Sequence, residues 1–307
     1  MPFPLYTRWA AEYSGARVNY QPLGSGAGVR QVSDGVVDFG ATDEPMSDAQ
    51  LKEARADLVH VPMTIGAVVI AFNVAGVSEL RLTPDVIADV FRGTIAKWDD
   101  PRLAGANPGV ALPAADIAVV HRADGSGTSA AFTAYLAKSS EGWRAEIGAG
   151  AMPRFPVGVG VRGNDGVTAY VKATPCSIGY VELAYARQSH LAVAHVRNRA
   201  GKWMTPDLDS LDRAARSALG RVPPDLRVSI VDAEDDGAYP IAALSFLVLP
   251  RDARERARAE ALSRFVWWAL HDGQRYAAEL DYAPLPPEIV TRAEVVVRGL
   301  RAEGRPL

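Results

Sequence analysis

Short apolar runs alternate along this chain with stretches in which apolar positions recur every three or four residues, an order that predicts strands interleaved with helices. Residues 58–63, 67–74, 117–120, 177–181 and 241–249 read as buried strands. Helical spacing is carried by Leu5, Trp9 and Tyr13, and by residues 130–136, 164–173, 182–188, 211–219, 252–270 and 287–300. Start and stop signals agree with that division. Ser47-Asp-Ala-Gln50 is a capping box, Thr83-Pro84 places proline at a first helical position, Asn198-Arg-Ala-Gly201 is a hairpin turn, and Val222-Pro-Pro-Asp225 breaks a helix. Phe265, Trp267 and Trp268 fall on a helix as core. The alternation predicts an α/β protein, with no internal repeat and no low-complexity linker.

Two turns in this pattern carry chemistry. His121-Arg-Ala-Asp-Gly-Ser-Gly-Thr-Ser129 lies between the strand at 117–120 and the helix at 130–136, so residues 125–128 open a helix. The first backbone N–H groups of a helix have no internal partner and the dipole is positive there, which suits an oxyanion. Arg122 adds a fork of donors matched to phosphate or carboxylate oxygens. The same residues also fit a plain helix cap with Arg122 paired to Asp124 at the surface. A second small-residue turn, Leu23-Gly-Ser-Gly-Ala-Gly28, follows the strand-like Arg17-Val-Asn-Tyr-Gln21. After it comes Val36-Val-Asp-Phe-Gly-Ala-Thr-Asp43, an apolar strand ending in a carboxylate, and ligands of open α/β sheets bind beyond such strand ends.

Composition narrows the function classes. The 307 residues are 48% hydrophobic, enough for two modest cores, and the net charge of −3 with no basic stripe argues against nucleic acid as a partner. That charge also means that an anion must be captured by local donors. The single cysteine, Cys176, allows no internal disulfide and no cysteine-based zinc site. His60, His121, His190, His195 and His271 lack zinc-enzyme spacing, and His121 reads as packing or solvent-facing. The acidic residues 232–237 read as a solvated loop without the EF-hand spacing that calcium needs. Neither glycine turn has the lysine of a P-loop, Val29 stands where a dinucleotide site needs a third glycine, and Leu23 and Asp124 occupy the first glycine of a nucleophile elbow. The longest apolar stretch, 65–77, falls short of the roughly 20 residues that span a bilayer. No basic region or cleavage site of a signal peptide is present at the opening residues.

Leu23-Gly-Ser-Gly-Ala-Gly-Val29, Val37-Asp-Phe-Gly-Ala-Thr-Asp43, Lys97-Trp-Asp-Asp100, the segment 121–129, Gly163-Asn-Asp-Gly166 and Ile178-Gly-Tyr-Val-Glu182 together resemble, in register, the motifs of the phosphate-specific substrate-binding proteins (PstS) of bacterial ABC importers. The similarity runs from Pro2 to about Pro287. It implies a two-lobed periplasmic-binding-protein (type II) fold with two strand crossings at a hinge: residues 1–72 and 247–307 in lobe 1, 73–246 in lobe 2, and the ligand between them. Inorganic phosphate and membrane ABC permease subunits are the implied partners of a periplasmic monomer that is not an enzyme and needs no cofactor or metal. Another oxyanion, such as phosphonate or molybdate, and hydrolysis of a phosphate ester are the alternatives.

The resemblance assigns phosphate binding to Ser25, Asp43, Arg122, Ser126, Gly127 and Thr128. Ser25, Ser126 and Thr128 supply donors, Gly127 permits close backbone approach, and Asp124 orients Arg122. Asp43 discriminates: an ionised carboxylate facing an anion repels it unless the ligand brings a proton, which protonated phosphate does and sulfate does not. Asn164 and Asp165 read as caps of the following helix. Relatives carry a Thr-Phe or Ser-Phe pair before the Pro-x-Pro-Leu-Tyr motif; here Met1 stands at the phenylalanine position before Pro2-Phe-Pro-Leu-Tyr6. The expectation is an internal start, with an export signal and a further hydroxyl donor encoded upstream.

Overall fold

The computed structural model describes residues 3–307, so Met1 and the expectation attached to it lie outside the described residues. Helices α1 (Phe3–Glu12) and α2 (Ser25–Ser33) lead into strand β1 (Gly40–Thr42), helix α3 (Asp48–Glu53) and the long strand β2 (Leu58–Asn73). There follow β3 (Arg81–Leu82), α4 (Pro84–Arg92), α5 (Pro101–Ala106), β4 (Ala118–Arg122), α6 (Gly127–Ser139), α7 (Glu141–Glu146), β5 (Val159–Val161), α8 (Gly163–Ala173), β6 (Ser177–Glu182) and α9 (Leu183–Gln188). The chain continues through β7 (Ala192–Val193), the hairpin β8 (His195–Arg197) and β9 (Trp203–Met204), α10 (Leu208–Arg216), β10 (Ala242–Pro250), β11 (Asp252–Ala253), α11 (Arg256–Leu270), α12 (Pro287–Arg298), β12 (Arg301–Ala302) and β13 (Arg305–Pro306).

The start signals act as read. Ser47 accepts from the Gln50 N–H while the Gln50 side chain accepts from the Ser47 N–H, and Thr83 caps α4 ahead of Pro84.

One sheet organises the molecule, in the order β1-β10-β2-β6-β4-β5, with β7 also on β2. The two apolar runs at 58–63 and 67–74 are a single strand, not two. Its first part pairs antiparallel with β10, from Pro250 opposite Leu58 to Ala242 opposite Ala67. Its second part pairs with β6, from Val68 opposite Glu182 to Asn73 opposite Ser177. Pro62, which lacks a donor, is tolerated because the register shifts between Ser245 and Phe246 directly opposite it. Gly66 leaves room at the changeover, where a Cβ would stand 3.4 Å from Glu182 Oε1. β4 runs parallel to β6 and β5, so its carboxyl end and the start of α6 open at one edge of the sheet.

Trp9, Trp98, Trp143, Phe91, Phe132 and Tyr180 are fully buried; burial of an apolar side chain of this size contributes about 1.5–3 kcal/mol. Several expectations are corrected. Residues 17–21 are irregular, not a strand: among the described residues they pair with no strand, and they hold Tyr20 against Phe39, ring planes 5° apart. The strand expected across 36–43 is confined to β1. Helix α11 starts at Arg256 because residues 252–253 pair with β12. Asp232, expected in a solvated loop, is buried at a positive φ of 55° and faces Arg199. Trp267 and Trp268 are half-buried, Trp267 stacking on His271. Among the described residues no helix is long and apolar enough to cross a membrane.

Candidate functional site

Strand β4 ends on Arg122, and the chain turns through residues 123–126 into α6. Ser126 is the N-cap: its Oγ accepts from the Ser129 N–H at 3.1 Å and its own N–H donates to the Ala151 carbonyl at 3.0 Å. The hydroxyl proton remains available as a donor. Gly127 and Thr128 follow at the positive end of the helix. Arg122 is 4% exposed. Its Nε and Nη2 donate to the two oxygens of Asp124 at 2.7 and 2.5 Å, and Asp124 Oδ1 also accepts from the Gly163 N–H at 3.2 Å. Burial works to raise the Asp124 carboxyl, but the hydrogen bonds and charge of Arg122, with the Gly163 N–H, hold it below the ordinary range.

Beneath this turn Tyr180 makes contacts that the sequence did not suggest. Its hydroxyl accepts from the Arg122 N–H at 3.2 Å and shares a hydrogen bond of 2.6 Å with Ser129 Oγ, while its ring stacks on Phe132 at 4.3 Å. Burial pushes the phenol up to about 12, so it stays neutral at any physiological pH.

The facing turn is built differently. Gly24, at a φ of 99°, precedes α2 and offers no side chain as a cap. Ser25 Oγ accepts from the Asp43 N–H at 3.3 Å and, across the cleft, from the Gly127 N–H at 3.1 Å. Beside it the Gly26 N–H donates to the Gly125 carbonyl at 3.0 Å. A Cβ on Gly127 would stand 2.5 Å from Ser25 Oγ and 2.8 Å from Asp43 Oδ2. Ser25, Asp43 and Gly127 therefore converge on one point, with Thr128 one residue further along α6. Arg122 and Asp124 border the outer side of the seam and line a cavity of about 820 Å³ with Gly26, Gly125, Arg30 and Arg162.

Asn164 and Asp165 do not cap α8. The helix starts at Gly163 with Arg162 as N-cap, and no side chain closes it. Asn164 is instead buried, and its Oδ1 accepts from Thr128 Oγ1 at 3.4 Å and from the Glu182 N–H at 3.3 Å. Its Nδ2 has no hydrogen-bond partner among the described residues. Glu182 is also buried; Oε2 accepts from the Tyr282 hydroxyl at 3.2 Å. Burial first, and the nearby Asp43 charge further, raise its carboxyl above the ordinary range. Tyr180, Asn164 and Glu182 were missed as site residues, although two motifs already quoted, 163–166 and 178–182, contain all three. His121 packs: its ring stacks on Phe155 at 4.3 Å.

Comparison with known proteins places this geometry in a family. A family profile described as a PBP superfamily domain matches residues 4–272. The phosphate-binding protein PstS of Xylella fastidiosa strain Temecula1 is 40% identical over 297 residues, covering 95% of this chain and 81% of the relative. PstS of Pasteurella multocida is 40% identical over 298 residues, with 95% and 86% covered. Among solved structures, a high-affinity periplasmic phosphate-binding protein bound with phosphate superposes with a TM-score of 0.75 at 19% identity, over 95% of this chain and 91% of that one. The phosphate-binding protein from Stenotrophomonas maltophilia gives 0.74 at 20% identity, over 92% and 87%. The fold is thus the two-lobed α/β fold of periplasmic binding proteins, and the chain belongs to the PBP superfamily and, within it, to the PstS family of phosphate-binding proteins.

Proposed function

We propose that this chain is the substrate-binding component of an ABC importer for inorganic phosphate, acting outside the cytoplasmic membrane and handing its ligand to membrane permease subunits. Relatives at 40% identity carry the name phosphate-binding protein, which supports the ligand. The observation that carries the reading is the position of Asp43, whose Oδ2 lies 2.8 Å from where a Gly127 Cβ would be, at the positive start of α6. A helix start attracts an oxyanion, and a carboxylate beside it repels one unless the ligand donates a proton to that carboxylate. Monohydrogen phosphate satisfies both; sulfate satisfies only the first. Ser25, Ser126 and Thr128 supply neutral donors, Gly127 lets the backbone approach closely, and Arg122, fixed by Asp124, supplies charge. On this reading the chain crosses between the lobes along β2 near residue 73 and returns along β10 near residue 246, and closure about those crossings brings Ser25 and Asp43 onto Gly127.

Capture fits these groups better than turnover. Ser25 Oγ and Ser126 Oγ each accept backbone N–H groups, and among the described residues no side-chain base bonds to either hydroxyl, so neither is set up as a nucleophile.

Isothermal titration of the phosphate-stripped protein with phosphate and with sulfate tests the reading. Wild type should bind phosphate saturably and show no sulfate heat. Asp43→Asn should bind phosphate more weakly and lose discrimination by roughly tenfold or more, the equivalent of about 1.4 kcal/mol. Equal affinity of wild type for both anions would overturn the role of Asp43.

A further inference from the structure

Outside the seam that joins Ser25 to Gly127, the cleft widens into the cavity of about 820 Å³. Its walls come from both lobes: Gly26, Ala27 and Arg30 along one stripe of α2, and Arg162 and Gly163 at the start of α8. Arg122 and Asp124 line it too, whereas Ser25, Asp43, Gly127 and Thr128 do not. It is therefore a vestibule in front of the site.

The charges in this vestibule are unequal in kind. Arg122 is buried and held by both oxygens of Asp124, so its field is largely cancelled before it reaches solvent. Arg30 and Arg162 are exposed, and neither guanidinium group makes a hydrogen bond or ion pair with a described residue. Asp165 is the other acid on the wall. The whole molecule carries −3, which repels an incoming dianion. Two unpaired guanidinium groups in a concave space with low-dielectric walls reverse that sign locally, since a cleft focuses the field of the charges that line it.

Resting on the phosphate reading above, we propose that Arg30 and Arg162, one from each lobe, form an outer anion station that phosphate meets before it reaches Arg122, and that they set the rate of association. Closure brings the two like charges to one cavity.

The test is stopped-flow fluorescence of the full chain mixed with inorganic phosphate, for wild type, Arg30→Gln, Arg162→Gln and the double variant. Measurements run at about 20 mM and about 500 mM salt, where the screening length falls from about 20 Å to about 4 Å. The association rate of the double variant should be about tenfold lower at low salt, within the range that steering supplies, and should converge on wild type at high salt. Dissociation rates should agree within about twofold, because rim charges act on association. Unchanged association rates at low salt, or a loss carried by faster dissociation, would overturn the station while leaving the phosphate reading intact. Failure of wild type to bind phosphate at equilibrium would overturn both, and unchanged thermal melting of the variants certifies their fold.

Discussion

At the start of α6 most of the partners come from its own side of the seam. Ser126 caps it, Tyr180 braces its first turn from below, and Asp124 holds Arg122 in one orientation with the help of Gly163. At the start of α2 nothing comparable happens. Gly24 has no side chain to offer, and the Ser25 hydroxyl reaches outward, to Asp43 and across the seam to Gly127. Both turns are small-residue helix starts with a positive end, and in sequence they look alike. One is capped on its own side, and the other has its serine hydroxyl turned across the seam to accept the Gly127 N–H. Preorganised donors cost little to use, and a hydrogen bond made across the seam favours the arrangement in which the two sides meet.

The seam is where this comparison breaks most easily. Gly127→Ala puts a methyl group 2.5 Å from Ser25 Oγ and 2.8 Å from the Asp43 carboxylate, so the α2 side cannot dock on the α6 side. Gly125→Ala puts its methyl 3.1 Å from the Gly26 Cα, a tight contact that a small shift relieves. Phosphate affinity of Gly127→Ala should fall by about 100-fold, or about 3 kcal/mol, the upper end of overpacking costs. Gly125→Ala should lose about tenfold or less. Titration of both variants checks the order, and a reversed order would mean that the seam closes elsewhere.

A smaller effect separates the two serines. Ser126→Ala removes a cap and should lower stability by about 1 kcal/mol, read as a shift in the urea midpoint. Ser25→Ala removes no cap and only a long hydrogen bond from the Asp43 N–H on its own side, so its urea midpoint should fall by less than that of Ser126→Ala. Its phosphate affinity should fall by roughly tenfold through a lost donor and a lost partner for Gly127, in line with about 1–1.5 kcal/mol for such bonds. If Ser25→Ala destabilises the free protein as much as Ser126→Ala does, the two helix starts are not built on different principles.

What the sequence made legible follows the same division. Helix starts are written in local residue types, so 125–128, Ser47 and Thr83 could be read directly, and a carboxylate at a strand end pointed to Asp43. Partners drawn from distant segments leave no local mark. Tyr180 reads as one more aromatic in a buried strand; only the fold puts its hydroxyl under Arg122. Asn164, two residues before a glycine and at a helix start, has the local signature of a cap, yet burial turns it toward Thr128 and Glu182. Pro62 and Gly66 read as a break because their tolerance depends on the shift in β10 opposite one and on the Glu182 carboxylate packed against the other. Residues 17–21 alternate like a strand, but alternation says only which side chains could share a face, not that a neighbouring strand pairs with them.

The smallest effect concerns how far the α6 side holds in acid. Asp124 is held below its ordinary value, so its ionised form is favoured by folding. Such a group contributes stability that is fully present above the unfolded value of about 3.9 and is lost as pH falls through the lower folded value. The stability difference between wild type and Asp124→Asn should therefore be level from pH 7 down to about pH 4 and shrink only below that. Urea unfolding of both proteins across this range measures it. A difference that already declines between pH 7 and 5 would mean that Arg122 and Gly163 do not hold the carboxylate, and that the α6 start is less finished than its hydrogen bonds indicate.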